Sequence, residues 1–294
     1  MCSFRRSNGA AFCFRLALGL LCVFPALVPT SSIASGTTLT PKGTIAVANP
    51  ADLRVVLLIS PATGAVTRSR APDSIIGQQV DLSQNGTRIA FGGTKGVWIF
   101  YRKGSGSRIV VPSRVSAFVP DWVAWSPGGR ALVFTRGEAL FTVSANGTGL
   151  RKLLGPRVYA PDWSPNGSHI VYVHNPSLRT GLGLIQSVRV DGHDVRSIVR
   201  GGHPDVSPDG MKLAFARRDG VYVMSLRGGT PERLVARGEH PEWSPDGRYL
   251  AFTREVKCGD AGCEGRVFII PATGGRAQPI GPRLFEIGPL SWSK

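Results

Sequence analysis

Two nearly identical stretches of the sequence carry a histidine, a proline and an acid: HPDVSPDG, which begins at His203, and HPEWSPDG, which begins at His240. The acid follows two residues after the histidine in each copy, as Asp205 and as Glu242. Imidazole and carboxylate groups bind divalent cations, and they also act as general acids and bases. The two stretches therefore predict either half of a cation site or one structural element that occurs twice.

The Ser-Pro-x-Gly part of these stretches recurs along the chain in exact or degenerate copies. The repeated serines are Ser83, Ser126, Ser164, Ser207, Ser244 and Ser293. They are 37 to 49 residues apart, and β-branched and aromatic runs alternate with Gly-rich turns between them. A period near ~40 residues with four short strands in each unit predicts the blades of a β-propeller.

The predicted fold is all-β, a six-bladed β-propeller closed by the C-terminal strand, which pairs with the N-terminal blade. Five units begin with a repeated serine and continue through four strands. Residues 43–69 provide three strands with no inner strand before them, and 289–294 provide an inner strand with nothing after it. Each part completes the other, which leaves no open sheet edge. No part of 43–294 shows the periodicity of a helix.

A resemblance to a known family follows from these residues. WSPDGRYLAF at 243–252 and FIIPATGG at 268–275 resemble the WD40-like (PD40) repeat of TolB-type propellers, which also occurs in prolyl oligopeptidase-type peptidases. The resemblance covers nearly all of 43–294 and implies the propeller fold, but propellers host unrelated functions. Two features of the relatives are missing. Little chain precedes the first strand, so the TolB N-terminal domain is lacking, and there is no Gly-x-Ser-x-Gly hydrolase motif.

The N-terminal segment predicts export. Arginines precede an apolar run of 13 residues at 16–28, whereas a membrane-spanning helix needs about 20. We therefore predict a signal peptide over 1–34, a linker over 35–42 and a propeller over 43–294. The alternative is a segment retained as an anchor. The expected product is a monomer with no stable membrane span, located in the periplasm, the cell envelope or the medium. Its two cysteines, Cys258 and Cys263, predict a disulfide.

The position before the last apolar residue of each inner strand is often acidic. Around the predicted ring, this position is Asp81, Ala124, Asp162, Asp205, Glu242 and Ser291. Inner strands of a propeller start at its top face, which places His203 and His240 at the channel mouth. Only these two units have His before Pro, since the matching residues elsewhere include Ala160 and Val119.

Two interpretations of the channel residues stand at this point. In the first, a ligand binds at the mouth to His203, His240, Asp162, Asp205, Glu242 and Asp81. A small hydrolase or lyase with a divalent cation is the enzymatic form of this interpretation. In the second, the acids bond to backbone N–H groups or to Arg, and water fills the channel. We predict no metal or other cofactor, because a catalytic metal usually has three protein ligands and only two histidines converge.

The charge of the chain favours an anionic partner. The formal net charge is +16, and a basic surface attracts polyanions. The predicted top loops carry arginines at Arg136, Arg179, Arg217, Arg218 and Arg254. We therefore predict a non-enzymatic scaffold that binds a protein or an anionic envelope polymer through these arginines; ordinary solvated charge is the alternative. Nucleic acid is not predicted as a partner, because the chain is exported and shows no aromatic stacking platform.

Overall fold

The computed structural model describes residues 40–71, 76–103, 106–113, 122–175, 182–259 and 262–293. The predicted signal peptide lies outside these residues, as do Val119 and Arg179. No helix occurs in the described part of the chain, so none there has the length and apolarity needed to cross a membrane.

Short strands make up the described residues. In chain order they are β1 Thr44–Ala48, β2 Val55–Ile59, β3 Val66–Arg70, β4 Ile76–Leu82, β5 Arg88–Gly93, β6 Gly96–Tyr101, β7 Ser107–Pro112, β8 Val123–Trp125, β9 Ala131–Arg136, β10 Ala139–Ser144, β11 Arg151–Leu154, β12 Val158–Trp163, β13 His169–His174, β14 Gly183–Arg189, β15 Arg196–Val206, β16 Lys212–Arg217, β17 Gly220–Ser225, β18 Glu232–Ala236, β19 Glu239–Trp243, β20 Tyr249–Gly259, β21 Gly262–Pro271, β22 Gln278–Phe285 and β23 Leu290–Ser293.

These strands form five antiparallel sheets. Four sheets have four strands each, in the orders β4-β5-β6-β7, β8-β9-β10-β11, β19-β20-β21-β22 and β23-β1-β2-β3. The fifth has seven strands, β12 to β18, because the first part of β15 pairs with β14 and its last part pairs with β16. The last strand pairs with the first in sequence, from Thr44 opposite Ser293 to Val47 opposite Leu290.

One strand of each four-stranded unit lies beside its counterpart in the next unit. We call β4, β8, β12, the last part of β15, β19 and β23 the inner strands. Contacts run from β4 to β8, β12, β15, β19 and β23, and then from β23 back to β4. We call the end of these strands that carries the Ser-Pro-x-Gly turns the turn end, and the opposite end, where His203 and His240 lie, the mouth end.

The Ser-Pro-x-Gly turn is built from local hydrogen bonds. In the copy at Ser244, the hydroxyl oxygen accepts the backbone N–H of Tyr249 at 2.9 Å and donates to Asp246 Oδ1 at 2.6 Å. Gly247 has φ +69° and donates its N–H to the Ser244 carbonyl at 2.8 Å. A residue with a side chain adopts this backbone conformation at a cost. The motif is therefore a scaffold element that makes the turn after an inner strand.

The core lies between neighbouring sheets. An aromatic residue of the second strand in each of five units is less than 2% exposed: Phe91, Phe134, Tyr172, Phe215 and Phe252. Trp243 is 4% exposed and packs with Phe252 of its own sheet and with Val221 of the sheet before it. Val206, at the matching position of the other copy, is also a buried core residue.

Candidate functional site

The acids of the inner strands contact the backbone of the neighbouring inner strand. Asp81 Oδ2 accepts the backbone N–H of Trp125 at 2.6 Å. The Ser291 hydroxyl donates to the other oxygen of Asp81 at 2.6 Å and accepts the backbone N–H of Leu82 at 3.1 Å. Three consecutive inner strands, β23, β4 and β8, are therefore joined by two side chains.

The same contact recurs around the inner strands. Asp162 accepts the N–H of Val206 at 3.4 Å, Asp205 accepts that of Trp243, and Glu242 accepts that of Trp292 at 3.3 Å. The exception is Ala124, whose side chain has no acceptor. Its carbonyl oxygen accepts the indole N–H of Trp163 at 3.2 Å instead. These contacts agree with the second interpretation of the channel residues, in which the acids bond to backbone N–H groups.

We call Asp81, Asp162, Asp205 and Glu242 the acid ring. Burial raises the pKa of Asp81 to about 7, against hydrogen bonds from Ser291 and Trp125 that lower it. Burial likewise raises the pKa of Asp162 to about 6. The pKa values of Asp205 and Glu242 are raised well above their ordinary values by burial and by the negative charges of the other ring members. The ring therefore retains protons that exposed carboxyl groups lose.

The residues two positions before the four ring acids, and two before Ala124 and Ser291 at the matching positions, form a second layer nearer the mouth. They are Gln79, Trp122, Ala160, His203, His240 and Pro289, and we call them the mouth layer. Ala160, His203 and His240 have φ between +47° and +50°. In each case the pairing of the inner strand with the second strand shifts register there. The shared bulge shows that this backbone conformation belongs to the repeat and not to histidine.

The structure brings His203 and His240 together. Their ring centroids are 4.1 Å apart in an edge-to-face arrangement, and Trp122 lies 5.3 Å from His203. The Thr253 hydroxyl donates to the Glu239 carbonyl at 3.2 Å and lies 2.8 Å from His240 Nδ1. The tautomer that satisfies both contacts of this hydroxyl has the hydrogen on His240 Nδ1, which leaves Nε2 as an acceptor.

Burial also affects both imidazoles. It lowers the pKa of His203 to about 4. The pKa of His240 is lowered well below its usual value by burial and by the neighbouring His203. Both rings are therefore neutral near pH 7. The His203 Nδ1 atom is buried and has no hydrogen-bond partner among the described residues.

Trp122 is a mouth residue that the sequence analysis missed. The Val-Pro-Asp at 119–121 imitates the His-Pro-Asp pattern and led to Val119 as the matching position. The register differs: Ala124 pairs with Val133 as Asp162 pairs with Val171. Counting back two residues from Ala124, instead of aligning the prolines, identifies Trp122, and the same count identifies Gln79.

Cavities lie on both sides of the acid ring. The mouth layer and three ring acids, Asp81, Asp162 and Glu242, line a cavity of about 50 Å³. The same three acids, with Asp205 and residues of the turns, line another of about 160 Å³ towards the turn end. A larger cavity, about 540 Å³, lies elsewhere, between the turns at Ser164 and Pro208. The predicted ligand residues therefore surround a small space with carboxylates at its floor.

The donor atoms at the mouth are too dispersed to hold one metal ion. In the described part of the chain, three His, Cys, Asp or Glu ligand atoms lie within 4.8 Å of one another only at Glu255, Cys258 and Cys263. The two cysteines there form a disulfide. His203, His240, Asp205 and Glu242 do not form such a group.

Three predicted partner-binding arginines are engaged in packing. The guanidinium of Arg136 lies 4.9 Å from the ring centre of Phe141, and that of Arg217 lies 4.7 Å from Tyr222. Arg254 lies 4.8 Å from the ring centre of Phe268, and it also donates hydrogen bonds to the carbonyl oxygens of Ala236 and Arg237. These side chains are half-buried, whereas Arg218 is exposed.

A groove of about 400 Å³ lies at the mouth end beside the β20–β21 hairpin. Its basic residues are Arg218, Arg237, Arg254 and Lys257, and Glu239 and Glu255 also line it. The hairpin is longer than the others, with strands of 11 and 10 residues. The predicted disulfide is confirmed: Cys258 and Cys263 lie opposite each other near the hairpin tip and are bonded.

No family model matches the chain, and no curated protein matches it in sequence. Solved structures match its fold. TolB from Acinetobacter baumannii aligns with a TM-score of 0.69 at 15% identity, over 85% of this chain and 66% of that one. A putative TolB from Agrobacterium tumefaciens gives a TM-score of 0.63 at 17% identity, over 84% and 91%. A chain of a nidogen–laminin complex gives 0.67 at 10%, over 85% and 98%. These neighbours are β-propellers.

The chain folds as a β-propeller. Identities this low show the fold alone, and the chain spans about two thirds of the length of the A. baumannii TolB. In a propeller, the sheets are arranged radially around a central channel. This arrangement explains why β4, β8, β12, β15, β19 and β23 contact one another in turn. It also explains why one position of the repeat, occupied by Asp81 in β4, forms a layer across the propeller.

Proposed function

We propose that the protein is an exported, non-enzymatic propeller that binds a protein or an anionic envelope polymer through its mouth end. We propose six blades, since six inner strands contact one another in turn, and closure by β23, which pairs with β1. In this proposal residues 1–34 are a signal peptide, 35–42 a linker and 43–294 the propeller. The Cys258–Cys263 disulfide supports export, because disulfides persist mainly in oxidising compartments.

The groove beside the β20–β21 hairpin is the observation that carries the proposal. It is a concave surface of about 400 Å³ in which four basic side chains converge. Arg218 and Lys257 are exposed there, and neither forms an ion pair with another of the residues that the structure describes. The Arg254 guanidinium lies against the rings of Phe252 and Phe268. A guanidinium positioned by aromatic rings, with two exposed cations nearby, suits a carboxylate-bearing or phosphate-bearing partner.

Binding fits the mouth better than catalysis does. Each member of the acid ring has an oxygen engaged by a backbone N–H of the next inner strand. A general acid or base must instead reach the substrate proton. The dispersed donor atoms described above also give the cation-assisted hydrolase or lyase no geometric support. We therefore retain the scaffold role and not the enzymatic alternative.

A charge-reversal experiment tests the groove. The tagged protein is used to capture partners from an extract of the source cell envelope. We expect Arg218→Glu/Lys257→Glu to reduce recovery of a specific partner at least about tenfold, since each lost charged contact is worth about 1.5–3 kcal/mol. The matched control is Arg130→Glu/Arg248→Glu, which changes two exposed arginines near the turn end. Equal recovery by both double variants would contradict the proposed face.

A further inference from the structure

The acid ring has no basic side chain of its own. The chain carries 35 Lys and Arg against 19 Asp and Glu. Yet among the described residues no Lys or Arg lines either cavity beside the ring. Buried carboxylates are normally paired with a cation or bonded by several donors. The four acids of the ring therefore have backbone donors but no basic side chain beside them, although the protein as a whole is strongly basic.

The mouth layer adds acceptors to this set. Both histidines lining the mouth cavity are neutral, and His240 Nε2 is an acceptor because Nδ1 bonds to Thr253. The buried Nδ1 of His203 has no partner in the described part of the chain, although this side chain is enclosed by protein and lines the cavity. Gln79 Oε1 is already used, because it accepts the N–H of Val123 at 3.3 Å. A ligand of this cavity must therefore donate hydrogen bonds, and a cation would in addition stabilise the charged form of the ring acids.

The size and shape of the cavity select among cations. Its volume of about 50 Å³ admits a small head group but not a whole residue. A single metal ion is disfavoured, because the ligand atoms at the mouth do not converge. A guanidinium carries five N–H donors and an ammonium three, so either spans acceptors that are separated. The aromatic face of Trp122, beside His203, suits the same cations.

We propose that the mouth cavity receives the guanidinium or primary ammonium group of a basic side chain presented by the partner. This inference rests on the proposed function, because it assumes a partner bound at the mouth end. The groove adjoins the cavity: Thr253 lines the groove and lies 2.8 Å from His240, which lines the cavity. The matching partner is an acidic segment that carries one exposed Arg or Lys.

Small probes test the cavity without the partner. The purified protein is titrated with the Nα-acetyl methylamides of arginine, lysine and citrulline, and binding is followed by NMR of the Trp122 indole and the His203 imidazole. Citrulline has nearly the shape of arginine but no charge. We expect saturable binding of at least one cationic probe and at least about tenfold weaker binding of citrulline.

Amide variants identify the site. Glu242→Gln keeps an oxygen for the Trp292 N–H but removes an ionisable group that lines the mouth cavity, and it should weaken the cationic probe at least about tenfold. Asp162→Asn, which likewise keeps an oxygen for the Val206 N–H, provides the same test if Glu242→Gln does not fold. The control is Asp246→Asn, an exposed carboxylate at the turn end whose replacement should leave probe binding unchanged.

Three results would overturn the inference. They are equal binding of citrulline and arginine, no saturable binding of either cation at millimolar concentrations, and cation binding that Glu242→Gln and Asp162→Asn leave intact. Titration with CaCl₂ and ZnCl₂ is run in parallel, and binding of a metal alone would replace the proposal with a metal site. If the probes do not bind but partner capture still depends on the groove residues, only this inference is wrong. If the probes bind but partner capture does not depend on the groove residues, only the proposed groove is wrong.

Discussion

The carboxylate of Asp205 accepts the backbone N–H of Trp243, 38 residues later in the sequence and on the next inner strand. The same carboxylate is buried, and its pKa is raised well above the ordinary value. One side chain therefore joins two inner strands and also resists ionisation, because its charged form would be buried beside other acids. Its structural and electrostatic roles are separable by substitution, because an amide keeps the acceptor and loses the charge.

The first prediction separates these two roles. We expect Asp205→Ala to lower the free energy of unfolding by about 1–3 kcal/mol, because it leaves the N–H of Trp243 buried without a partner. Asp205→Asn should cost clearly less, because its side-chain oxygen accepts the same bond. Urea unfolding at about pH 7 measures both. An equal loss for the two variants would show that the charge, and not the acceptor, is what the structure needs.

The second prediction concerns pH. Burial raises the pKa of Asp81 from 3.8 to about 7, so between these values the folded protein keeps a proton that the unfolded chain has lost. This contribution to stability is fully present below about pH 4 and is lost as the pH rises to about 7. The free energy of unfolding should therefore fall between about pH 4 and pH 7. One proton changes it by at most about 1.4 kcal/mol per pH unit.

Asp81→Asn should make that decrease shallower without abolishing it, because Asp162, Asp205 and Glu242 shift in the same direction. Urea unfolding at the two pH values measures the slope. The exposed turn residue Asp246 provides the matched Asn control, which should keep the full slope. A slope unchanged in Asp81→Asn would contradict the raised pKa of that residue.

The third prediction concerns the two histidines. Because burial lowers the pKa of His203 to about 4 and that of His240 well below its usual value, neither ring should gain a proton between about pH 8 and pH 5.5. Long-range ¹H–¹⁵N NMR of the imidazoles reports their protonation. The exposed His193 provides an internal comparison in the same spectra. Protonation of His203 near pH 6.5 would mean that its cavity is open to water.

The sequence predicted the local parts of the fold well, because they depend on short-range chemistry. The Ser-Pro-x-Gly turns, the strands beside them and the core position of Trp243 all follow from a few neighbouring residues. The sequence analysis predicted that the inner-strand acids could bond to backbone N–H groups, but it did not predict that Asp205 would bond to the N–H of Trp243. Its partner depends on the stagger of two inner strands, which no short stretch of sequence encodes.

The mouth and its arginines were harder to predict for the same reason. Trp122 was missed because a Val-Pro-Asp segment imitates the repeat in a different register. Arg217 and Arg254 were expected to be free cations, but each lies over aromatic rings of its own sheet. A sequence gives the order of charged residues along a strand, whereas the choice between stacking and solvent depends on which rings lie beside them.

The fourth prediction separates a packing arginine from a solvated one. Arg254→Ala removes a guanidinium that contacts two aromatic rings and two carbonyl oxygens, so the free energy of unfolding should fall by about 1–3 kcal/mol. Arg218→Ala changes an exposed side chain, and the effect should stay within about 0.5 kcal/mol. Chemical denaturation of the two variants measures the difference. Similar values for both would mean that Arg254 is not held by its contacts.

The last prediction concerns the disulfide. Cys258 and Cys263 are only five residues apart, so the cross-link restricts little of the unfolded chain. We expect Cys258→Ser/Cys263→Ser to lower the free energy of unfolding by no more than about 2 kcal/mol. The main effect should be local, with faster amide hydrogen exchange at the tip of the β20–β21 hairpin and unchanged exchange in β16 and β17. Because this hairpin borders the proposed groove, partner capture by the double variant should weaken while the fold persists. Uniformly faster exchange throughout the propeller would instead give the bond a global role.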